Sequence, residues 1–275
     1  MSEETTMSED GTAVQDSPAD WKEMDDFAAG IDGNRIPPTD RLTNARWLLR
    51  RADDVETELR FQSADRVHWT RGAESGTDWY QAIEVSEDVF FLDQTFADRP
   101  YVSEVTVAHL PSARTVTIES TIAEEPTPGE PRVSQRFFAG VIDPGDGRAP
   151  SGEIPGPTRD LVGWRALYRY SPNHLYEHVY LSTERYCWQC LVGEQRGHGD
   201  VDLTTTWKLA EDYYVFTFRE FLIPVAATWL YDLAAMRSTG KFFGLGHGGA
   251  VRNAPGGAHI TSLGRVQYPQ DGQPK

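Results

Sequence analysis

Two tyrosines at alternate positions, Tyr168 and Tyr170, open an aromatic run in the second half of the chain, and a strand there presents both hydroxyls to one side. Tyr176, His178 and Tyr180 repeat the alternation a few residues later. Further on, Asp212 to Phe218 reads as an aromatic-rich strand, with Phe218 and Glu220 projecting to one side of it. A carboxyl among aromatic rings has its charged form disfavoured by desolvation, so its pKa rises towards the range of a general acid. His178, with an ordinary pKa near neutrality, could share the proton work. Each has a reading without chemistry: half-buried packing for the tyrosines and the histidine, a solvated or paired rim position for Glu220.

Three other motifs carry less. His174-Leu175-Tyr176-Glu177-His178 spells the H-x-x-E-H of inverted zinc peptidases, but that chemistry needs both histidines on one helix face, and the run from Tyr176 to Trp188 is β-branched and aromatic. No metal is expected. Cys187-Trp188-Gln189-Cys190 has redox spacing, yet residues i and i+3 of a strand face opposite sides, so structural cysteines are expected. Gly244-Leu245-Gly246-His247-Gly248-Gly249 lacks the preceding strand and following helix of a phosphate cradle and reads as a mobile loop at a barrel rim.

The elements that must hold these residues follow from an internal repeat. Leu42 to Trp69 aligns without a gap on Leu161 to Trp188 at an offset of 119, with eight identities in 28 positions, Arg46/Arg165, Glu58/Glu177 and Trp69/Trp188 among them. After a loop five residues longer in the second copy, Glu87-Asp88 realigns with Glu211-Asp212. From residue 40 onward, short runs rich in Val, Tyr, Phe, Trp and Thr alternate with turn residues, so each copy reads as a β unit. The expected fold is mainly β: two tandem lipocalin-like antiparallel barrels, a sandwich being the other solution, with a short N-terminal helix. The boundaries are an acidic tail at 1–39 with a helix at 18–29, a first barrel at 40–142 that is structural or degenerate, a Pro/Gly linker at 143–158, a second barrel at 159–268 and a tail at 269–275. The helix rests on Ser17-Pro18 as a cap and on Trp21, Met24, Phe27, Ala28 and Ile31 at helical spacing. It docks on the domain that follows or plugs a cavity. At Tyr168, Tyr170 and Glu220 the first copy carries Leu49, Arg51 and Phe96, so the polar set belongs to the second copy alone.

Composition narrows the partners. The 275 residues carry 42 acids against 26 Lys plus Arg, a formal charge of −16, which repels nucleic acid. No run reaches the roughly 20 apolar residues of a membrane helix, the N-terminus lacks a signal pattern, and two cysteines are too few for a disulfide framework, so a cytoplasmic location is expected. A homo-oligomer is compatible with all of this.

Asp160-Leu161-Val162-Gly163, Tyr168-Arg169-Tyr170-Ser171-Pro172, Tyr176-Glu177-His178, Trp188-Gln189-Cys190-Leu191 and Asp232-Leu233 through Lys241 resemble the MoaF family. The family carries a molybdenum-cofactor-biosynthesis label, and nothing in these residues resembles a pterin or molybdate site. More distantly, Val162-Gly163, Tyr168, Tyr170, Tyr176 to Tyr180, Arg196 and Glu220 are similar in order and spacing to the bacterial phenolic acid decarboxylases, single barrels that need no cofactor. Phe218-Arg219-Glu220-Phe221 departs from the Trp-Thr-Glu-Pro of that group. The resemblance implies a cofactor-free lyase acting on a small aromatic or phenolic acid. Arg196 would bind an anionic group, Tyr168 and Tyr170 would orient the substrate and Glu220 would move the proton, with Tyr176, His178, Tyr180, Trp188 and Phe218 around the ligand. A non-catalytic ligand carrier or accessory protein, including one in molybdenum cofactor biosynthesis, and an isomerase, cyclase or dehydratase use the same residues and stay open.

Overall fold

The computed structural model describes residues 21–275. After a one-turn helix α1 (Met24–Phe27), the first repeat unit forms β1 (Arg46–Arg51), β2 (Glu56–Phe61), β3 (Arg66–Arg71), β4 (Glu74–Ser86), β5 (Val89–Thr95), β6 (Val102–His109), β7 (Arg114–Ile122) and β8 (Val133–Asp143). Each pairs antiparallel with the next, and β1 returns to β8 through Leu48↔Asp143 to Arg51↔Gly140, closing an up-and-down barrel without free edges. A two-residue strand β9 (Gly156–Pro157) is the only regular element of the connection. The second unit follows with β10 (Trp164–Ser171), β11 (His174–Tyr180), β12 (Arg185–Val192), β13 (Gly199–Ala210), β14 (Tyr213–Arg219), β15 (Val225–Asp232), β16 (Arg237–Leu245) and β17 (Val251–Arg265). β10 pairs with β17 and β12 with β13, so this barrel also closes on eight strands, and β9 adds two pairs to β13.

The repeat has a visible structural cause at its turns. Asp88 and Asp212, equivalent by the repeat, both take left-handed backbone at φ 59° and 61° in the hairpins after β4 and β13. Asp tolerates that region better than branched residues. Alternation then sorts the strands: on β10, Trp164, Ala166, Tyr168 and Tyr170 point inward while Arg165 and Arg169 face solvent. The interior of the second barrel is an aromatic core in which Tyr168, Phe216, Trp229 and Tyr231 are fully buried. Each such ring removes on the order of 150–250 Å² from water.

The barrels meet through their outer faces. Val105, Val107, Val116 and Ile118 of the first pack on Leu209, Val215 and Leu230 of the second, and Phe137 stacks on Trp207 at 5.5 Å. In the same interface Lys241, 1% exposed, pairs with Asp93 and Ser103, and Asn253 Nδ2 donates to the other Asp93 oxygen at 2.7 Å.

The N-terminal segment differs from its expected form. The helix spans Met24–Phe27 rather than 18–29, residues 18–20 and the Ser17 cap lie outside the described residues, and Gly30 turns the chain at φ 76°. The segment docks on the second barrel, 130 residues away in sequence, because Trp21, Met24, Phe27 and Ile31 find an aromatic seat there. Among the described residues no helix is long and apolar enough to cross a membrane.

Candidate functional site

Strand alternation places most of the sequence-derived residues around one small cavity near the end of the second barrel. Tyr170, Tyr176, His178, Trp188, Phe218 and Glu220 line it. Tyr186, Gln195 and Phe242 complete the wall, and Phe27 and Ile31 close it from the N-terminal segment. The enclosed volume is about 20 Å³, room for about one water molecule.

Glu220 follows the last residue of β14 and is 6% exposed. Burial holds its carboxyl well above the usual carboxylate range, and the Asp202 and Asp200 charges add to the rise. Asp202, on β13 and fully buried, is pushed up to about 7, chiefly by burial and against the pull of the Trp188 indole N–H, which donates to its Oδ2 at 2.9 Å. Asp202 Oδ1 has no hydrogen-bond partner. Two like charges in a dry site cannot both ionise cheaply, so Glu220 and Asp202 titrate as one pair that keeps a proton at neutral pH.

The first barrel shows how this pair arises. Trp69 Nε1 donates to Asp78 Oδ2 at 2.7 Å, as Trp188 does to Asp202, and the Ala97 amide caps Asp78 Oδ1 at 3.0 Å. Beside that bond sits Phe96, its ring 5.7 Å from Trp69. The second barrel keeps the tryptophan–aspartate bond and puts Glu220 where Phe96 stands. Asp202 was not singled out from the sequence, although Asp78 and Asp202 correspond once the five-residue insertion is counted.

The remaining candidates separate. Tyr168 and Tyr180 lie outside the cavity wall: the Tyr168 and Tyr180 hydroxyls share a hydrogen bond of 2.6 Å, and Tyr180 donates to the Tyr231 hydroxyl at 2.9 Å. Burial keeps all three hydroxyls protonated, with pKa values above the ordinary tyrosine range. His178 is stacked 4.2 Å from the Tyr168 ring, and burial drives its pKa down to about 3, so the ring is neutral and not the near-neutral acid expected from its type. Its Nδ1 is unpartnered. Arg196 is exposed, while its neighbour Gln195 turns inward and accepts from the Tyr176 hydroxyl at 3.0 Å, leaving Gln195 Nε2 unpartnered. Arg196 therefore stands outside the chamber it was expected to enter, and the wall contains no Lys or Arg.

The three discounted motifs are also placed. His174 and His178 lie on strand β11, four residues and about 13 Å of extended chain apart, and His174 shares a 2.7 Å hydrogen bond with Ser171. Cys187 and Cys190 are free thiols on β12 with pKa values raised by burial. The glycine loop between β16 and β17 clasps the N-terminal segment. A Cβ at Gly246 would lie 2.5 Å from the Asp25 carboxylate, so a larger residue there would push that side chain aside.

A solved chain from Burkholderia vietnamiensis, a proposed beta-lactamase, shares 15% identity, covering 38% of this chain and 95% of its own, with a TM-score of 0.32; no chemistry carries over at that level. The sequence comparisons are firmer. The MoaF N-terminal domain matches residues 19–124 and the MoaF C-terminal domain residues 155–266. Protein MoaF of Klebsiella aerogenes is 34% identical over 202 residues, 69% of this chain and 75% of that protein. With both halves matched in order, and with a curated relative this similar over most of its length, the chain belongs to the MoaF family.

Proposed function

We propose that the second barrel is the active chamber of a cofactor-independent lyase of decarboxylase type, acting on a small aromatic or phenolic acid, with Glu220 as the proton donor and acceptor. The observation that carries this reading is the buried Glu220–Asp202 pair at an aromatic cavity, where the first barrel has a single carboxyl, Asp78, with Phe96 in the place of Glu220. A carboxyl kept protonated at neutral pH is the group needed to protonate a conjugated side chain, and a positioned acid is worth on the order of 10²–10⁴ in rate.

In the proposed reaction the substrate ring lies among Tyr170, Tyr176 and Trp188, and Glu220 gives its proton to the side-chain carbon next to the carboxylate. A para-phenol supplies the electrons, releasing its own proton to water and becoming a quinone methide. The bond to the carboxylate carbon then breaks, carbon dioxide leaves, and its electron pair restores the aromatic ring and the new double bond. The phenolate regains a proton from water, and a second proton from water recharges Glu220 through its coupling to Asp202. Tyr168, Tyr180 and Tyr231 support the chamber floor by their hydroxyl chain and do not touch the substrate.

One observation favours a second reading, a dehydratase or isomerase in the same chamber. With no Lys or Arg in the wall, a neutral phenolic substrate fits the chamber better than a carboxylate, and loss of water or double-bond migration uses the same acid. The test is incubation of the protein with hydroxycinnamates and with neutral phenolic alcohols, followed by mass spectrometry for loss of carbon dioxide or water. Glu220→Gln should abolish turnover and leave ligand affinity within about threefold. Full activity in that variant overturns the assignment, and binding without turnover of any compound transfers the chamber to the carrier reading.

A further inference from the structure

The chamber and the segment that closes it compete for the same space. The cavity behind Phe27 and Ile31 is about 20 Å³, whereas sites for small organic molecules measure roughly 300–1,000 Å³. A phenol-sized molecule cannot enter while both side chains are seated. Phe27 is itself a benzene ring in that cavity, 3% exposed and edge-on to Phe242 at 5.2 Å, and it shares the wall with Glu220 and Tyr176.

The fit is steric but not polar. Gln195 and His178, 2% and 3% exposed, line the same cavity, and Gln195 Nε2 and His178 Nδ1 have no partner. A phenylalanine and an isoleucine offer them nothing, while a ligand oxygen would. Buried polar groups without partners are the costly exceptions in folded proteins, so the closed state carries an unmet demand that a phenol can satisfy. The outer fastening is of a kind that opens. Asp25 accepts from Arg252 Nε at 2.7 Å and Nη2 at 3.2 Å and from the His247 amide at 2.9 Å, all near solvent. The helix it sits in is a single turn. Exposed ion pairs of this type hold a segment weakly.

We propose that residues 21–31 form an intrasteric plug, in which Phe27 occupies the subsite for the ring of a small phenolic ligand and is expelled when that ligand binds. The inference rests on the reading of the second barrel as a ligand chamber. It adds a ring subsite next to Glu220, an oxygen subsite at Gln195 and His178, and a gate whose clasp is Asp25 with the loop after β16.

The probe is 4-methylphenol, with toluene as the ring that lacks the oxygen, titrated by calorimetry against the full chain. Phe27→Ala should bind 4-methylphenol at least tenfold more tightly than the unaltered protein, and more tightly than it binds toluene. Asp25→Asn, which loosens only the clasp, should tighten binding two- to fivefold and serves if Phe27→Ala does not fold. In the unaltered protein, saturating 4-methylphenol should speed amide hydrogen exchange in residues 21–31 while slowing it in β11 and β12. Binding that leaves those amides equally or better protected, or that Phe27→Ala weakens, overturns the plug while leaving the chamber standing. Failure of both proteins to bind the probe removes the chamber reading itself, and the plug with it.

Discussion

Replacing Glu220 by Gln should remove activity and stabilise the protein at alkaline pH. A carboxyl whose folded pKa lies above its unfolded value adds stability in full below the unfolded value, near 4, and loses it as pH rises through the folded value. Asp202 is raised from 3.8 to about 7, which corresponds to about 4 kcal/mol at 1.36 kcal/mol for each tenfold change in proton affinity. Glu220 is driven in the same direction from inside the same pair. Roughly half of that loss falls between pH 5.5 and 8.5, a span in which a chain of formal charge −16 stays soluble. Gln has nearly the same shape as Glu and no charge to bury. Urea unfolding across this span should show the unaltered protein losing about 2 kcal/mol more than Asp202→Asn, and losing more than Glu220→Gln by the share that Glu220 itself carries. His178 contributes with opposite sign in both proteins and cancels in the difference. Parallel stability curves would refute the claim that Glu220 and Asp202 share one buried proton, even if the variant were inactive.

Three further outcomes follow from the geometry. His178→Leu, which installs the residue of the first barrel, should resist acid better: the folded pKa of about 3 lies below the ordinary 6.5, so stability present above pH 6.5 is lost as pH falls, by about 2 kcal/mol at pH 5, read from thermal melts at pH 5 and 7.5. Lys241→Met strands Asp93 in the interface between the barrels and should cost about 3–5 kcal/mol, whereas Lys241→Met with Asp93→Leu should recover most of it; equal melting temperatures for the two variants would refute the ion pair's role. Arg196→Ala should change stability by less than about 0.5 kcal/mol and leave kcat unaltered, with any effect confined to KM for anionic substrates; a tenfold fall in kcat would show that the side chain reaches the reacting atoms.

The fold was legible because duplication prints the same pattern twice. Trp69 and Trp188 mark equivalent inward positions, and alternation alone sorts Tyr170, Tyr176, His178 and Glu220 to the inside of their strands. Three features were not legible, each for a physical reason. Asp202 looks like a solvated strand residue until its bond to Trp188, 14 positions earlier, is known. Arg196 and Gln195 lie on one turn, and order along a turn does not say which residue faces in. The N-terminal segment was expected to dock on the domain that follows or to plug a cavity, and nothing in its sequence points to Arg252, to which Asp25 is clasped across 227 residues.

The second barrel carries a buried acid without dismantling the core it shares with the first. The tryptophan–aspartate bond is a structural bolt in both copies, so Asp78 and Asp202 are held in place whether or not chemistry occurs. The first barrel fills its interior differently, with Arg71 gripping Glu104 through two bonds of 2.7 Å, a half-buried pair that is charge-balanced. The second barrel has Cys190 and Ala227 near the equivalent positions, uses no cation, and places a second carboxyl beside the bolt. That arrangement is destabilising by itself at neutral pH. Stability is added from outside, where β5 and β6 of the first barrel pack against β13 to β16 and fix Lys241 between them. The first copy thus gives the second an apolar outer cover, Val105, Val107, Val116 and Ile118, and Asp93 as the buried partner of Lys241.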